Sequence, residues 1–244
     1  MAPLRDSLNL FARRFALALH HSTGMRLGGS LAPPPEADAE ALRASDAHLP
    51  GTGWVVGIAA CLSFALVGLL LRASPWGAAA AAVLSTMLTV AMTGARHEGA
   101  AFRAAERLGA GQGFGALAVA LLLLAKIVLL AVVASVSEAG VLAALFAGHV
   151  TSRFAPVVAS RWLGDRQDVR ALRIGALWCL PPLLLMFPAG RWAFPLLALL
   201  LAAVACYGLL RLWERRWGSG AQEDSGALQQ AWEVAFYLGA AIGA

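Results

Sequence analysis

The sequence predicts an all-α, polytopic integral membrane protein with about six to seven transmembrane helices and an N-terminal interfacial helix. Three observations carry that expectation. Of 244 residues, 59% are hydrophobic and only 14% charged; the mean hydropathy is +0.70; and the apolar residues come in runs of roughly 20, the length an α-helix needs to cross ~30 Å of hydrocarbon. Soluble domains have a different balance. Membrane β-strands would show short alternating segments, and residues 117–133 do not alternate.

Taken in order, the first segment places Leu4, Leu8, Phe11, Phe15 and Leu19 on one helical face, with Arg5, Arg13 and Arg14 elsewhere. That pattern predicts a helix lying in the interface, and its arginines argue against a cleaved signal peptide. Residues 32–41, with Pro33, Pro34 and Pro35 ahead of acidic side chains, read as an exposed loop. The chain therefore divides into an amphipathic helix and Pro-rich loop (1–48) and a membrane domain (49–244).

Spans are expected at about 54–71, 76–92, 114–136, 141–158, 174–188 and 194–212, with a weaker seventh at 227–242. Trp54, Trp76, Trp192, Trp213 and Trp217 fall near span ends, where indole rings favour the headgroup zone. Pro181 and Pro182 are expected to kink or break the fifth span. Cys61, Cys179 and Cys206 sit inside apolar runs without paired spacing, so they read as small hydrophobes rather than a disulfide or zinc site.

The formal charge of +5 does not point to nucleic acid, because the basic residues are spread through loops rather than gathered on one face. Their distribution instead alternates. Arg5, Arg13, Arg14, Arg26 and Arg43 precede the first span, Arg72 follows it, and Arg96, Arg103 and Arg107 follow the second. The third inter-span loop has none. Arg161, Arg166, Arg170 and Arg173 lie in the fourth, Arg191 in the fifth, and Arg211, Arg215 and Arg216 in the sixth. By the positive-inside rule the N-terminus and the even-numbered loops are expected to be cytoplasmic.

Two of those loops concentrate ionisable groups. One runs from Arg96, His97 and Glu98 through Arg103 to Glu106; the other has Glu223 and Asp224 ahead of Gln229, Gln230 and Glu233. Carboxylates and guanidinium groups beside a membrane suit magnesium and phosphate, although on spacing alone a solvated loop carrying positive-inside charge is the better account. Glu98 and Glu106 are eight residues apart, close to two helical turns, so they would share a face unless Gly99 breaks the helix. His149, within an apolar span, reads as a packed, hydrogen-bonded residue. Lys126, the only lysine, lies in an unbroken apolar run and must face a partner or water.

These polar stretches resemble the cobalamin synthases, the bacterial membrane transferases also called adenosylcobinamide-GDP ribazoletransferases. Arg43-Ala44-Ser45 through Pro50 and Gly53-Trp54 resembles that family's entry to its first span. Thr93-Gly94-Ala95-Arg96-His97-Glu98 is similar to the stretch leading into its acidic motif. Gly226-Ala227-Leu228-Gln229-Gln230 with Glu233 through Gly239 resembles its C-terminal helix, and Lys126, Gly148-His149 and Ser152-Arg153 add weaker support.

The resemblance implies the final step of cobalamin biosynthesis in the bacterial inner membrane. There α-ribazole, or its 5′-phosphate, displaces GMP from adenosylcobinamide-GDP with magnesium. It implies catalytic roles for His97, Glu98 and Arg103, metal ligation by Glu98 and Glu106, and substrate binding by Glu223, Lys126, Arg153, Gln229 and Gln230.

The sequence also departs from the pattern. Gly99 and Arg103 stand where the family writes aspartate, while Glu106 keeps a carboxylate at the motif's last acidic position. The family's basic arm is missing, since Leu108-Gly109-Ala110-Gly111 runs almost directly into the third span, and Gln222-Glu223 replaces a Gly-Asp. These departures favour a second reading, an inactive scaffold holding other corrinoid-assembly enzymes at the membrane. A transporter, with Lys126 and Glu233 on a substrate path, would show an internal repeat, and none is evident.

Overall fold

The computed structural model describes residues 2–32, 37–109, 113–162, 169–217 and 225–244. The described residues form α-helices and one short 3-10 turn, with no strand among them. The helices are α1 (Ala2–Thr23), α2 (Ala39–Asp46), α3 (Leu49–Leu70), α4 (Gly77–Thr93), α5 (Arg96–Leu108) and α6 (Phe114–Val136). They continue with α7 (Glu138–Ser152), α8 (Ala155–Trp162), α9 (Val169–Ala189), α10 (Ala193–Trp217) and α11 (Ser225–Gly243).

Among the described residues, five helical stretches are long and apolar enough to cross a bilayer: α3, α6, α7 with α8, α9 and α10. With α4, whose apolar run is shorter, they make a multi-pass membrane protein. Their outward faces are apolar, as lipid requires: Leu62, Leu66 and Leu69 on α3, Leu117, Leu121 and Leu124 on α6, and Leu196, Leu200 and Val204 on α10 are all exposed. The weak seventh span is a different object. Leu228, Gln229, Gln230, Glu233, Phe236 and Tyr237 of α11 are buried, because α11 packs among α5, α6, α7, α8 and α10. Its polar residues face protein, which is why its hydropathy is low.

Several local expectations need correction. Pro181 and Pro182 do not end α9. A proline at 182 cannot donate to the carbonyl of Trp178 four residues earlier, and Trp54 Nε1 donates to that carbonyl instead, at 3.0 Å. Trp213 is buried rather than interfacial, within a cluster that includes Ala101, Ala104 and Leu228. Trp76 and Trp192 are exposed as the headgroup expectation requires. On α1 the expected apolar face is only partly engaged: Leu19 is buried but Leu8 and Phe11 are exposed. The contact that seats α1 is aromatic, with Phe11 edge-on to His48 at 4.6 Å and Phe15 stacked on Trp178 at 5.8 Å.

One bend positions the site. α4 ends at Gly94 (φ 60°), and Ala95 follows with φ 53°; two successive left-handed residues turn α5 by 89° from α4. Glycine enters that region freely, whereas alanine there costs roughly 1 kcal/mol. Arg96, Glu98, Arg103, Glu106 and Arg107 thus lie on a surface helix outside the spans rather than in a continuation of α4. Close packing holds α5 down: a Cβ on Gly226 would stand 2.8 Å from Ala100 Cβ and 3.1 Å from His97 Cα.

Candidate active site

The bend opens a cleft of about 740 Å³ at one end of the bundle. Its walls come from the ends of α1 and α2, the start of α3, the α4–α5 turn, the α7–α8 junction and the first turn of α11. Guanidinium groups dominate its charge: Arg96, Arg103 and Arg153 all line it, with Asp46, Ser160, Ser225 and Gln229. The first residues of α5 and α11 line it as well, and helix N-termini favour anions. A cleft of this kind suits phosphate oxygens.

The sequence-predicted residues do not all meet at the cleft. His97, Arg103, Arg153 and Gln229 line the cleft. Glu98 and Gln230 lie buried on α5 and α11, Gln230 Nε2 donating to Glu98 Oε1 at 2.8 Å, while Glu98 Oε2 has no partner. Lys126 is deeper and does not line the cleft; it pairs with Glu233. Glu223 lies outside the described residues.

Glu106 is engaged elsewhere. Its Oε1 accepts from Gly113 N at 3.1 Å and Gly115 N at 2.6 Å, capping the start of α6. α5 runs unbroken through Gly99, yet eight residues exceed two turns by about 80° of rotation. That offset separates Glu106 from Glu98. Among the described residues no three His, Cys, Asp or Glu side chains gather as around a metal ion. Glu98 remains a fit for one ligand, because its buried Oε2 is free and magnesium commonly takes one or two carboxylates with phosphate oxygens and water.

Burial tunes the polar groups at the cleft. It pushes the Glu98 carboxyl above the usual carboxylate range. Burial, and then the Arg153 charge, lower His97 to about 3, so its imidazole stays neutral with Nε2 unpartnered. His21 is likewise held low by burial and by Arg96, whose Nη1 donates to the His21 carbonyl. That hydrogen bond ties α5 to α1. Sequence reasoning missed Arg96, Asp46, Ser160 and Ser225 as lining residues; only Arg96, in the Arg-His-Glu run, carried a signal.

Comparison with known proteins identifies the family. The family model for cobalamin-5-phosphate synthase matches residues 14–241. A protein of Polaromonas naphthalenivorans named adenosylcobinamide-GDP ribazoletransferase is 34% identical over 273 residues, covering 95% of this chain and 98% of its own. One with the same name from Albidiferax ferrireducens is 31% identical over 279 residues, covering 97% and 100%. No solved structure matches the chain. The chain therefore belongs to the cobalamin-5-phosphate synthase family.

Proposed function

We propose that this protein is an adenosylcobinamide-GDP ribazoletransferase that completes cobalamin assembly at the membrane surface. In the reaction, a hydroxyl of α-ribazole, or of its 5′-phosphate, forms a bond to the cobinamide-side phosphorus of adenosylcobinamide-GDP. The bond from that phosphorus to the GMP oxygen breaks, the electron pair leaves with GMP, and the hydroxyl's proton is released to water. The observation that carries the reading is the cleft in which Arg96, Arg103 and Arg153 converge with the first turns of α5 and α11.

Each residue then has a task. Arg96 and Arg103, at the rim, draw in and orient the diphosphate, and Arg153 meets its oxygens at the floor. Arg103 brings positive charge to a motif position where the family carries an acid. His97 Nε2, on a neutral ring, hydrogen-bonds the incoming hydroxyl, and Gln229 contacts substrate beside Ser225. Glu98 would hold magnesium together with substrate phosphate oxygens. When bound, that ion supplies further charge neutralisation at the diphosphate.

The arginine asymmetry supports a bacterial inner-membrane location with the cleft and N-terminus on the cytoplasmic side. The scaffold reading has no comparable support, since the full-length relatives carry the transferase name. The test is expression in a strain lacking its own cobalamin synthase, supplied with cobinamide and α-ribazole. Cobalamin formation is expected; its absence from well-expressed, folded protein would exclude turnover.

A further inference from the structure

A buried charged cluster, Lys126 with Glu233, lies apart from the residues that line the cleft. Lys126 is 2% and Glu233 1% exposed, and they sit on α6 and α11, buried between the helices of the bundle. An ion pair in such a place is poor at stabilising a fold, because desolvating two charges offsets their attraction. Its partners show a more specific use. Glu233 Oε2 takes the Lys126 ammonium. Glu233 Oε1 accepts from Ser152 Oγ at 2.9 Å and lies 3.3 Å from His149 Nδ1.

Both of those contacts fall on the last turn of α7, immediately before Arg153. Arg153 Nη1 in turn donates to the His149 carbonyl at 2.6 Å. Glu233 thus grips Ser152, the residue that precedes Arg153, and stands beside His149, whose carbonyl orients the guanidinium. Trp232 adds a parallel tie, Nε1 donating to Thr151 Oγ1 at 3.0 Å. Arg153 is itself only 2% exposed, lines the cleft, and keeps Nε without a partner. A buried, half-satisfied guanidinium at the floor of an anion-suited cleft is placed for a ligand oxygen.

We propose that the Lys126–Glu233 pair is a positioning device: it locks the end of α7 against α11 so that Arg153 presents its guanidinium to a substrate phosphate. Lys126 holds Glu233, Glu233 holds Ser152, and Arg153 is the member of this chain of contacts that touches substrate. This rests on the transferase reading for the identity of the phosphate, which here is the diphosphate of a guanine nucleotide.

The test uses the full-length protein in detergent, with guanosine diphosphate as the probe and transfer kinetics as the second readout. A single Lys126→Met leaves a buried carboxylate unpaired and is expected to misfold. The informative variant is therefore Lys126→Met with Glu233→Met, which removes both charges and is expected to keep a monodisperse, wild-type-like fold. Its Kd for guanosine diphosphate and its KM for adenosylcobinamide-GDP should each rise about tenfold, as for one misplaced charge-assisted contact, with kcat changing less. Pairing Lys126→Met with Glu233→Gln restores an amide oxygen for Ser152 and should recover most of the loss.

Equal nucleotide binding by wild type and the double Met variant, including none by either, overturns the proposal. So does a Gln variant no better than the Met variant. Wild type that binds guanosine diphosphate more tightly than the double Met variant but forms no cobalamin would overturn the transferase reading and leave the clamp standing.

Discussion

Gln230 Nε2 reaches Glu98 Oε1 at 2.8 Å across 132 residues of chain, joining α11 to α5 beneath the cleft. This amide satisfies one carboxylate oxygen and fixes the direction of the other. Glu98→Ala should lower cobalamin formation by on the order of 10²-fold, in the range seen when a group that stabilises charge at a reacting centre is lost. Gln230→Leu, which leaves the carboxylate in place but unaligned, should cost about tenfold. Transfer rates per folded molecule, normalised by size-exclusion chromatography, check both values; equal rates for the two variants would refute the assignment.

The arginines give a different signature. Arg96→Ala and Arg103→Ala should each raise KM for adenosylcobinamide-GDP about tenfold and lower nucleotide binding in parallel. Arg103→Asp, which writes the family's residue back into the motif, should bind guanosine diphosphate more weakly still. Tighter binding or faster transfer by Arg103→Asp would mean that the arginine is a loss rather than a replacement. Titration with guanosine diphosphate at fixed magnesium is the measurement.

Glu106 should behave as a structural residue. Because its Oε1 caps the first turn of α6, Glu106→Ala should lower stability by about 1 kcal/mol, as for loss of a helix cap. The KM, kcat and magnesium dependence of the folded fraction should stay unchanged. A change in magnesium dependence without a shift in thermal midpoint would instead make it a ligand.

Acid should loosen the seat of α1. Burial, and secondarily Arg14, hold His48 at about 4 in the fold against an ordinary imidazole value of 6.5. The unfolded chain therefore binds the proton first. Stability should fall as pH drops from about 6.5 toward 4 and change no further through this group below that. His48→Asn should flatten that slope. Thermal midpoints in detergent at several pH values, compared between wild type and variant, decide it.

The apolar runs made most of the fold legible, because the bilayer demands continuous hydrophobic helices and their length is nearly fixed. Residues 114–136 were read to the residue as α6. What the runs concealed was decided by tertiary contact. α11 looked like a feeble span because its polar groups face other helices, not lipid. Pro181 and Pro182 looked disruptive because the indole that serves the Trp178 carbonyl lies 124 residues away.

At the site, the resemblance and the run of charges together brought out His97, Glu98, Arg103 and Arg153, and the structure sets these at or under one cleft. Periodicity failed for Glu106, since eight residues are not a whole number of turns. That Lys126 needs a partner is legible in the sequence, but that the partner is Glu233 is not: each is an isolated charge in its own run, and only packing of α6 against α11 joins them.

The burial of α11 bears on biogenesis. The helices it packs against, α5, α6, α7, α8 and α10, precede it in the chain, and it carries Gln229 to the cleft, Gln230 to Glu98 and Glu233 to Lys126. A helix with that polar load is a poor substrate for independent insertion, so it enters the membrane against a scaffold already laid down by its predecessors. A nascent chain halted before residue 225 would be a multi-pass membrane protein with no enzyme in it.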